Sequence, residues 1–282
     1  MKTNFKKIST ILVVLFSIGT QQVKAQNEKG SYVSISTGYN MGTGNANYYQ
    51  SAVLGMINST ETSATTSQSE FIKTNLGKGV NAGANFGYMF NKNIGLELGA
   101  NYLIGGKTKS AQTHSNGDYT KSEVSAKMFQ IKPTLVFRGG YDKINPYAKV
   151  GLVIGSGKIS NTQNEKDGID IYSRTLELNG GTPIGFHASL GTLYKLNEKI
   201  SLFGELNLVS LEYAPKKGIY IQYTKNGVDQ LPTMTTREKE VEFVDSYTDT
   251  GSPSNPNEPN KSFQIPLSFS SFGLNFGVQY HF

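Results

Sequence analysis

From Phe272 to Phe282 the chain alternates without a break between large apolar and small or polar residues. Phe272, Leu274, Phe276, Val278, Tyr280 and Phe282 fall on one side, and Gly273, Asn275, Gly277, Gln279 and His281 on the other. A period of two over this length specifies a β-strand with two chemically different faces, because successive side chains of a strand point to opposite sides. In a soluble sandwich such an apolar side would meet a second sheet; here the alternation runs to the last residue of the sequence.

The opposite end carries a different signal. Lys2, Lys6 and Lys7 precede an apolar stretch from Ile8 to Gly19, and a short polar segment ends in Val23-Lys24-Ala25. Basic, then apolar, then small-x-small is the order of an export leader. The stretch is shorter than the ~20 residues a spanning helix needs. A cleaved signal peptide over 1–25 is therefore expected, with a single domain over 26–282. No cysteine follows the cleavage point, so a lipid-anchored product is not expected.

The leader also corrects the charge balance. The whole chain has 27 basic and 21 acidic residues, but Lys2, Lys6, Lys7 and Lys24 leave with the leader, so the exported part carries about +2. That removes the main support for nucleic-acid binding. With no cysteine anywhere, disulfides and thiolate metal sites are excluded. After residue 25 no apolar run reaches helical spanning length, so a membrane-embedded form would have to cross with strands.

Eight segments have the character of the last one: about 31–41, 79–90, 94–105, 125–138, 146–157, 183–196, 200–212 and the terminal run. Each is long enough to cross a bilayer at a tilt, which takes ~9–11 residues. Their connections are sorted by length. Asn91-Lys92-Asn93, Gly139 to Asn145 and Asn197-Glu198-Lys199 are short turns, whereas 42–78, 106–124, 158–182 and 213–266 are long. Long and short alternate, beginning and ending with long, so antiparallel strands would place every long loop at one end. This predicts an all-β fold: an eight-stranded antiparallel transmembrane β-barrel with short periplasmic turns and long extracellular loops.

The second face of each segment is small and polar, as in Asn81, Gly83, Asn85, Gly87 and in Gly185, His187, Ser189, Gly191. Apolar outside and polar inside is what a barrel in lipid requires. Tyr32, Tyr88, Phe90, Tyr141, Tyr147, Tyr194, Tyr280 and Phe282 gather near the short turns and are expected to form an interfacial aromatic belt. Pro133 lacks a donor that a closed sheet would use, so a local bulge is expected there.

With the leader, the eight alternating segments, the loop sorting and the terminal aromatic in place, the chain resembles the small outer-membrane barrels of the OmpA/OmpX/OmpW-like superfamily. It is most similar to the single-domain type abundant in Bacteroidetes. The ending on Phe282 resembles the C-terminal assembly signal of such barrels, carried here by Phe272, Leu274, Phe276, Val278, Tyr280 and Phe282. The resemblance implies residence in the outer membrane of a Gram-negative cell. It implies contact with lipid and lipopolysaccharide, delivery by periplasmic chaperones and the barrel-assembly machinery, and no cofactor. A peptidoglycan-binding domain of the OmpA kind is not expected, since the last barrel strand ends the sequence.

The inward faces hold Glu97, Lys132, Arg138, Lys149, Lys195, Glu205 and, higher up, His187. Glu97, Lys132, Lys149 and Glu205 count into the lower half, and an interior ion-pair network closing the lumen is expected, because an unpaired charge in a narrow lumen is costly. No catalytic or metal-binding residues are expected. His114 has Ser115 and Asp118 nearby, but in a Ser/Asn/Gly-rich loop, and no motif joins a nucleophile, a base and an oxyanion donor. That sets a lipid-modifying enzyme behind two other readings, a structural or surface-interaction barrel and a narrow solute channel. The loops are where specificity would lie, toward a surface ligand the sequence does not identify. Asn58 to Ser69 reads as a flexible polar tract. Ile169–Tyr172 and Thr175–Leu178 read as upward extensions of the wall. Gly218–Tyr223 and Glu240–Val244 read as a hairpin or as two further membrane strands; their shortness and Glu240, Glu242 and Asp245 favour the hairpin.

Overall fold

The computed structural model describes residues 29–44, 54–63, 65–248 and 255–282; the expected leader lies outside them. In chain order the strands are β1 (Gly30–Gly42), β2 (Ile57–Ser63), β3 (Thr66–Phe71), β4 (Gly79–Met89), β5 (Ile94–Gly105), β6 (Thr108–Thr113), β7 (Tyr119–Arg138), β8 (Ile144–Asp167) and β9 (Asp170–Asn179). They continue with β10 (Ile184–Lys195), β11 (Ile200–Ser210), β12 (Glu212–Tyr213), β13 (Lys217–Lys225), β14 (Val228–Asp229), β15 (Glu240–Val244), β16 (Asn260–Phe263), β17 (Leu267–Ser268) and β18 (Ser271–His281).

Eight of these make a ring. β1, β4, β5, β7, β8, β10, β11 and β18 pair antiparallel in that order, and β18 pairs back to β1 from Tyr32↔His281 to Gly42↔Ser271. Closure leaves the ring without an open edge, so each ring strand has a partner strand on both sides. The stagger is fixed by register. Ala148 leads through Leu190, Leu206, Leu274, Tyr39, Val80, Ile104 and Lys127 to Lys158, ten residues further along the strand it started from. Such an offset tilts the strands by ~35–45° to the barrel axis and leaves an interior that side chains fill.

The alternation in sequence becomes alternation in exposure. Outward residues such as Ile35, Leu190 and Phe276 are well exposed, while their neighbours Ser34, Ser189 and Asn275 are buried in the lumen. Tyr88, Phe90, Tyr194, Tyr280 and Phe282 point outward near the short turns, and Tyr141 is exposed in the turn at the short-turn mouth. Tyr32 and Tyr147 do not: they are 1% and 6% exposed and turn into the lumen. Their places in the expected aromatic belt are thereby corrected, because both lie in the inward phase of β1 and β8.

The inward faces are also less uniformly polar than the sequence suggests. Two apolar groups sit near the short-turn end, Tyr32 with Met89 and Val136, and Tyr147 with Leu193 and Phe203. A larger apolar cluster occupies the long-loop end, where Leu103, Met128, Val153 and Val209 of the wall meet Leu54 and Met56 of the first loop. The polar layer lies between them.

Above the ring β7 and β8 continue as one ribbon up to Tyr119↔Lys166. β9, β13, β15 and β16 extend the sheet from β8, and β6, β2 and β3 extend it from β7. β9 thus carries the wall upward, and β13 pairs with β15 outside the ring, so neither adds a membrane strand. Within the tract 58–69, residues 58–63 and 66–69 pair antiparallel as β2 and β3 rather than forming a flexible loop. Periodicity misses such strands because they are wet on both faces and have no apolar side to display.

At Pro133 the expected bulge is absent. The β7–β8 register is the same on both sides of it, Ile131↔Ile154 and Thr134↔Gly151, and the ladder omits only Lys132 and Pro133. The pairing of Pro133 with Leu98 on β5 is kept. A missing donor is accommodated by leaving out local bonds on one side, without an extra residue.

Gly277 shows how tightly the closing strand is fitted. A Cβ there would lie 2.2 Å from the Ile35 carbonyl oxygen and 2.5 Å from the Phe203 ring. Gly277→Val is expected to destabilise the barrel by at least ~1–3 kcal/mol through overpacking. The readout is the fraction of heat-modifiable, folded protein after refolding into detergent.

Candidate functional site

The polar layer is assembled from opposite walls. Glu97 rises from β5, Lys149 from β8 and Glu205 from β11, all in inward phase. Lys149 Nζ lies 2.9 Å from Glu97 Oε1 and 3.5 Å from Glu205 Oε2, with all three side chains no more than 10% exposed. Each carboxylate has further donors. Tyr32 Oη donates to Glu97 at 2.7 Å, Tyr147 Oη donates to Glu205 at 3.0 Å, and Asn275 Nδ2 donates to Glu205 at 3.1 Å. A buried ion pair is tolerated when its remaining lone pairs are satisfied in this way.

The aromatic rings reach the carboxylates because glycines lie opposite them. Tyr32 pairs in register with Gly87, Tyr147 with Gly191 and Phe203 with Gly277. A Cβ on each of those glycines would fall within about 2.6 Å of the facing ring. Without side chains at those places the rings can lie along the wall instead of standing into the lumen. Lys149 Nζ sits over two of them, 5.1 Å from the Tyr147 centroid and 5.8 Å from that of Phe203. The cation is thus held by two carboxylates above an aromatic floor.

The structure brings Glu97, Lys149 and Glu205 together, and it separates other residues named from the sequence. Lys132 lines the same void as the triad without an ion pair within 4 Å among the described residues; that void measures about 20 Å³, room for about one water. Two lysines therefore balance two carboxylates in this layer. His187 is spent on Thr134, with Nε2 and Oγ1 2.8 Å apart. Arg138 lies below the floor, its guanidinium 4.7 Å from the Tyr32 centroid. Lys195 is exposed at the short-turn mouth. Sequence reasoning missed Tyr32, Tyr147 and Asn275; the aromatic-opposite-glycine pattern was the signal available, but it needs the register to be known.

Away from the barrel interior, His114 Nδ1 meets Glu61 at 3.0 Å, while Asp118 accepts bonds from Asn116 and from the Gly168 amide. The triplet His114, Ser115 and Asp118 is therefore not arranged as nucleophile and base. Among the described residues no three His, Asp or Glu side chains are grouped to hold a metal ion. At the tip of the crown, the sheet that β9, β13, β15 and β16 and β6, β2 and β3 form above the ring, Lys225 lies 2.7 Å from Asp170, and Asn226 bonds both Asp170 and the Ile171 amide. The bond from Lys225 holds the Asp170 carboxyl below its usual range. This clamp ties the β8–β9 turn to the β13–β14 turn and leaves Ile169 96% exposed.

Residues 10–230 match the family model of the outer membrane protein β-barrel domain. No curated protein sequence matches the chain. Among solved structures it is similar to the outer membrane protein OprG from Pseudomonas aeruginosa, at 12% identity over 91% of this chain and 97% of that one, with a TM-score of 0.43. Neisserial surface protein A gives 11% identity, 90% and 97% coverage and a TM-score of 0.37. Ail, the attachment invasion locus protein of Yersinia pestis, gives 13%, 90%, 99% and 0.34. At these distances no residue role passes from those proteins to this chain.

Proposed function

Given that the chain belongs to the outer membrane protein β-barrel domain family, we propose that it is a closed, non-enzymatic barrel whose task falls to its extracellular crown. It resides in the outer membrane as a β-barrel. The short turns then face the periplasm and the long loops the outside.

The observation that carries this reading is the filling of the lumen in successive layers. Lys149, Glu97 and Glu205 occupy the middle above Tyr32, Tyr147 and Phe203, and the apolar cluster around Met56 and Met128 occupies the outer end. A solute crossing would have to break a satisfied ion-pair layer and then displace packed apolar side chains. Neither layer has a hydrated path written into its chemistry. The crown, in contrast, is a broad sheet raised on β7 and β8, clamped at its tip and ending in exposed Ile169, Ile171 and Val228. A raised, strand-paired sheet that presents apolar side chains to water supports a role in contact with a surface partner.

Planar-bilayer recording of the refolded protein tests the closure. The expected result is the absence of unitary conductance steps at moderate salt and voltage. Regular steps from the folded species would overturn the reading in favour of a narrow channel.

A further inference from the structure

We infer that the periplasmic mouth of the barrel is a binding site for a small multivalent oxyanion of the phosphate class. The site lies below the aromatic floor and does not depend on whether the lumen is closed.

The mouth is a concavity of about 270 Å³. Five cationic side chains line it: Lys29, Lys92, Arg138, Lys143 and Lys195. Asp142 and Glu198 are the acidic side chains in the lining, so cations remain in excess even when a terminal carboxylate at Phe282 is counted. None of the five cations forms an ion pair within 4 Å among the described residues, although both carboxylates belong to the same rim. The charges are therefore not arranged to neutralise one another.

Arg138 gives the site its direction. Its ring-facing side rests on Tyr32, and its Nε is buried with no hydrogen-bond partner among the described residues. A buried guanidinium donor without an acceptor is costly, and a planar fork of donors is suited to two oxygens of one anion. Lys29 and Lys195 sit at strand ends, Lys92 in the β4–β5 turn and Lys143 in the 139–143 turn, where long side chains can turn inward over the mouth. An oxyanion seated against Arg138 would meet ammonium groups from several sides of the concavity. Such a recess focuses positive potential more strongly than a flat surface with the same charges.

The same chemistry is offered by a soluble phosphate and by a phospholipid headgroup of the inner leaflet. The position of Arg138 on the lumen side of the wall favours the soluble source, because a headgroup remains tied to the outer, lipid-facing side.

Isothermal titration of the full refolded protein with inorganic pyrophosphate, in a zwitterionic detergent at low salt, is the test. Saturable binding of about one pyrophosphate per barrel is expected, weakened at least tenfold by Arg138→Gln and several-fold by the exposed double variant Lys143→Gln with Lys195→Gln. Heat-modifiable gel mobility verifies that each variant is folded, and the rim double variant keeps the test valid if Arg138→Gln fails to refold. Lack of saturable binding at millimolar pyrophosphate, or binding unchanged in the folded variants, would overturn the proposal. Repeating the titration in nanodiscs separates the sources. Affinity equal in phosphatidylcholine and phosphatidylglycerol discs supports a soluble anion, and loss of binding in phosphatidylglycerol discs overturns it in favour of the headgroup.

Discussion

Lys149→Ala is expected to destabilise the barrel by about 3–5 kcal/mol, because it leaves Glu97 and Glu205 facing each other in the lumen without their shared cation. Removing one member of a buried ion group exposes the remaining charges to the full desolvation penalty. Replacing the whole group is different: Lys149→Met and Lys132→Met with Glu97→Gln and Glu205→Gln is expected to recover most of the loss, since no charge of the layer is then stranded. Tyr32 and Tyr147 would still find side-chain oxygens to donate to. Lys158→Ala serves as the contrast. Lys158 also pairs with a glutamate, Glu177, at 2.8 Å, but its side chain is 63% exposed. Its loss is expected to cost under ~1 kcal/mol. Urea unfolding in lipid vesicles, followed by circular dichroism or by gel mobility, gives these values; the chain has no tryptophan to report by fluorescence. Equal effects for Lys149→Ala and Lys158→Ala would contradict the ion-pair layer.

Phe276→Arg is expected to cost about 2–4 kcal/mol in a bilayer, the penalty for a cation on the lipid face near the midplane. Phe276 is the central residue of the closing strand and is 59% exposed on the outer side of the ring. Phe276→Leu keeps the face apolar and is expected to change stability by less than ~1 kcal/mol. The depth dependence is the sharper readout. The same arginine placed at Phe282, at the periplasmic boundary, is expected to cost ~0–1 kcal/mol, since the penalty falls toward the interface. A soluble sandwich would reverse the order of concern, because there Phe276 would meet a second sheet and any polar replacement would fail whatever its height. A flat profile along β18 would count against the lipid-facing assignment.

Much of this architecture was legible in the residues. The outward face of every ring strand follows from a period of two, and the two ends of the barrel follow from the alternation of Asn91–Asn93, Gly139–Asn145 and Asn197–Lys199 with the long loops. Glu97, Lys149 and Glu205 could be placed in the lumen by phase alone. What phase could not tell is which of them touch. Lys149 reaches Glu97 across one intervening strand and Glu205 across another, and those neighbours are set by the stagger of ten residues around the ring. The upper strands were hidden for another reason: β2, β3 and β6 are mostly polar, with Ile57, Phe71 and Ala111 too few to show a period of two, and they are held by backbone pairing above the membrane.

The sequence alone therefore determined the class of fold, the orientation of the crossing strands and the side that meets lipid, while the choice of eight over ten crossing strands fell to the pairing of β13 with β15 outside the ring. These depend on local alternation and on loop length, which a linear chain displays. Only the tertiary structure decided that Tyr32 and Tyr147 turn inward onto Gly87 and Gly191, and that Leu54 and Met56 plug the outer end. It also decided that Arg138 faces a basic mouth instead of joining the ion-pair layer. The physical reason is shared. A closed ring brings together residues far apart in sequence at positions fixed by its register, and the terminal run from Phe272 to Phe282 fixes that register only once it has paired with β1.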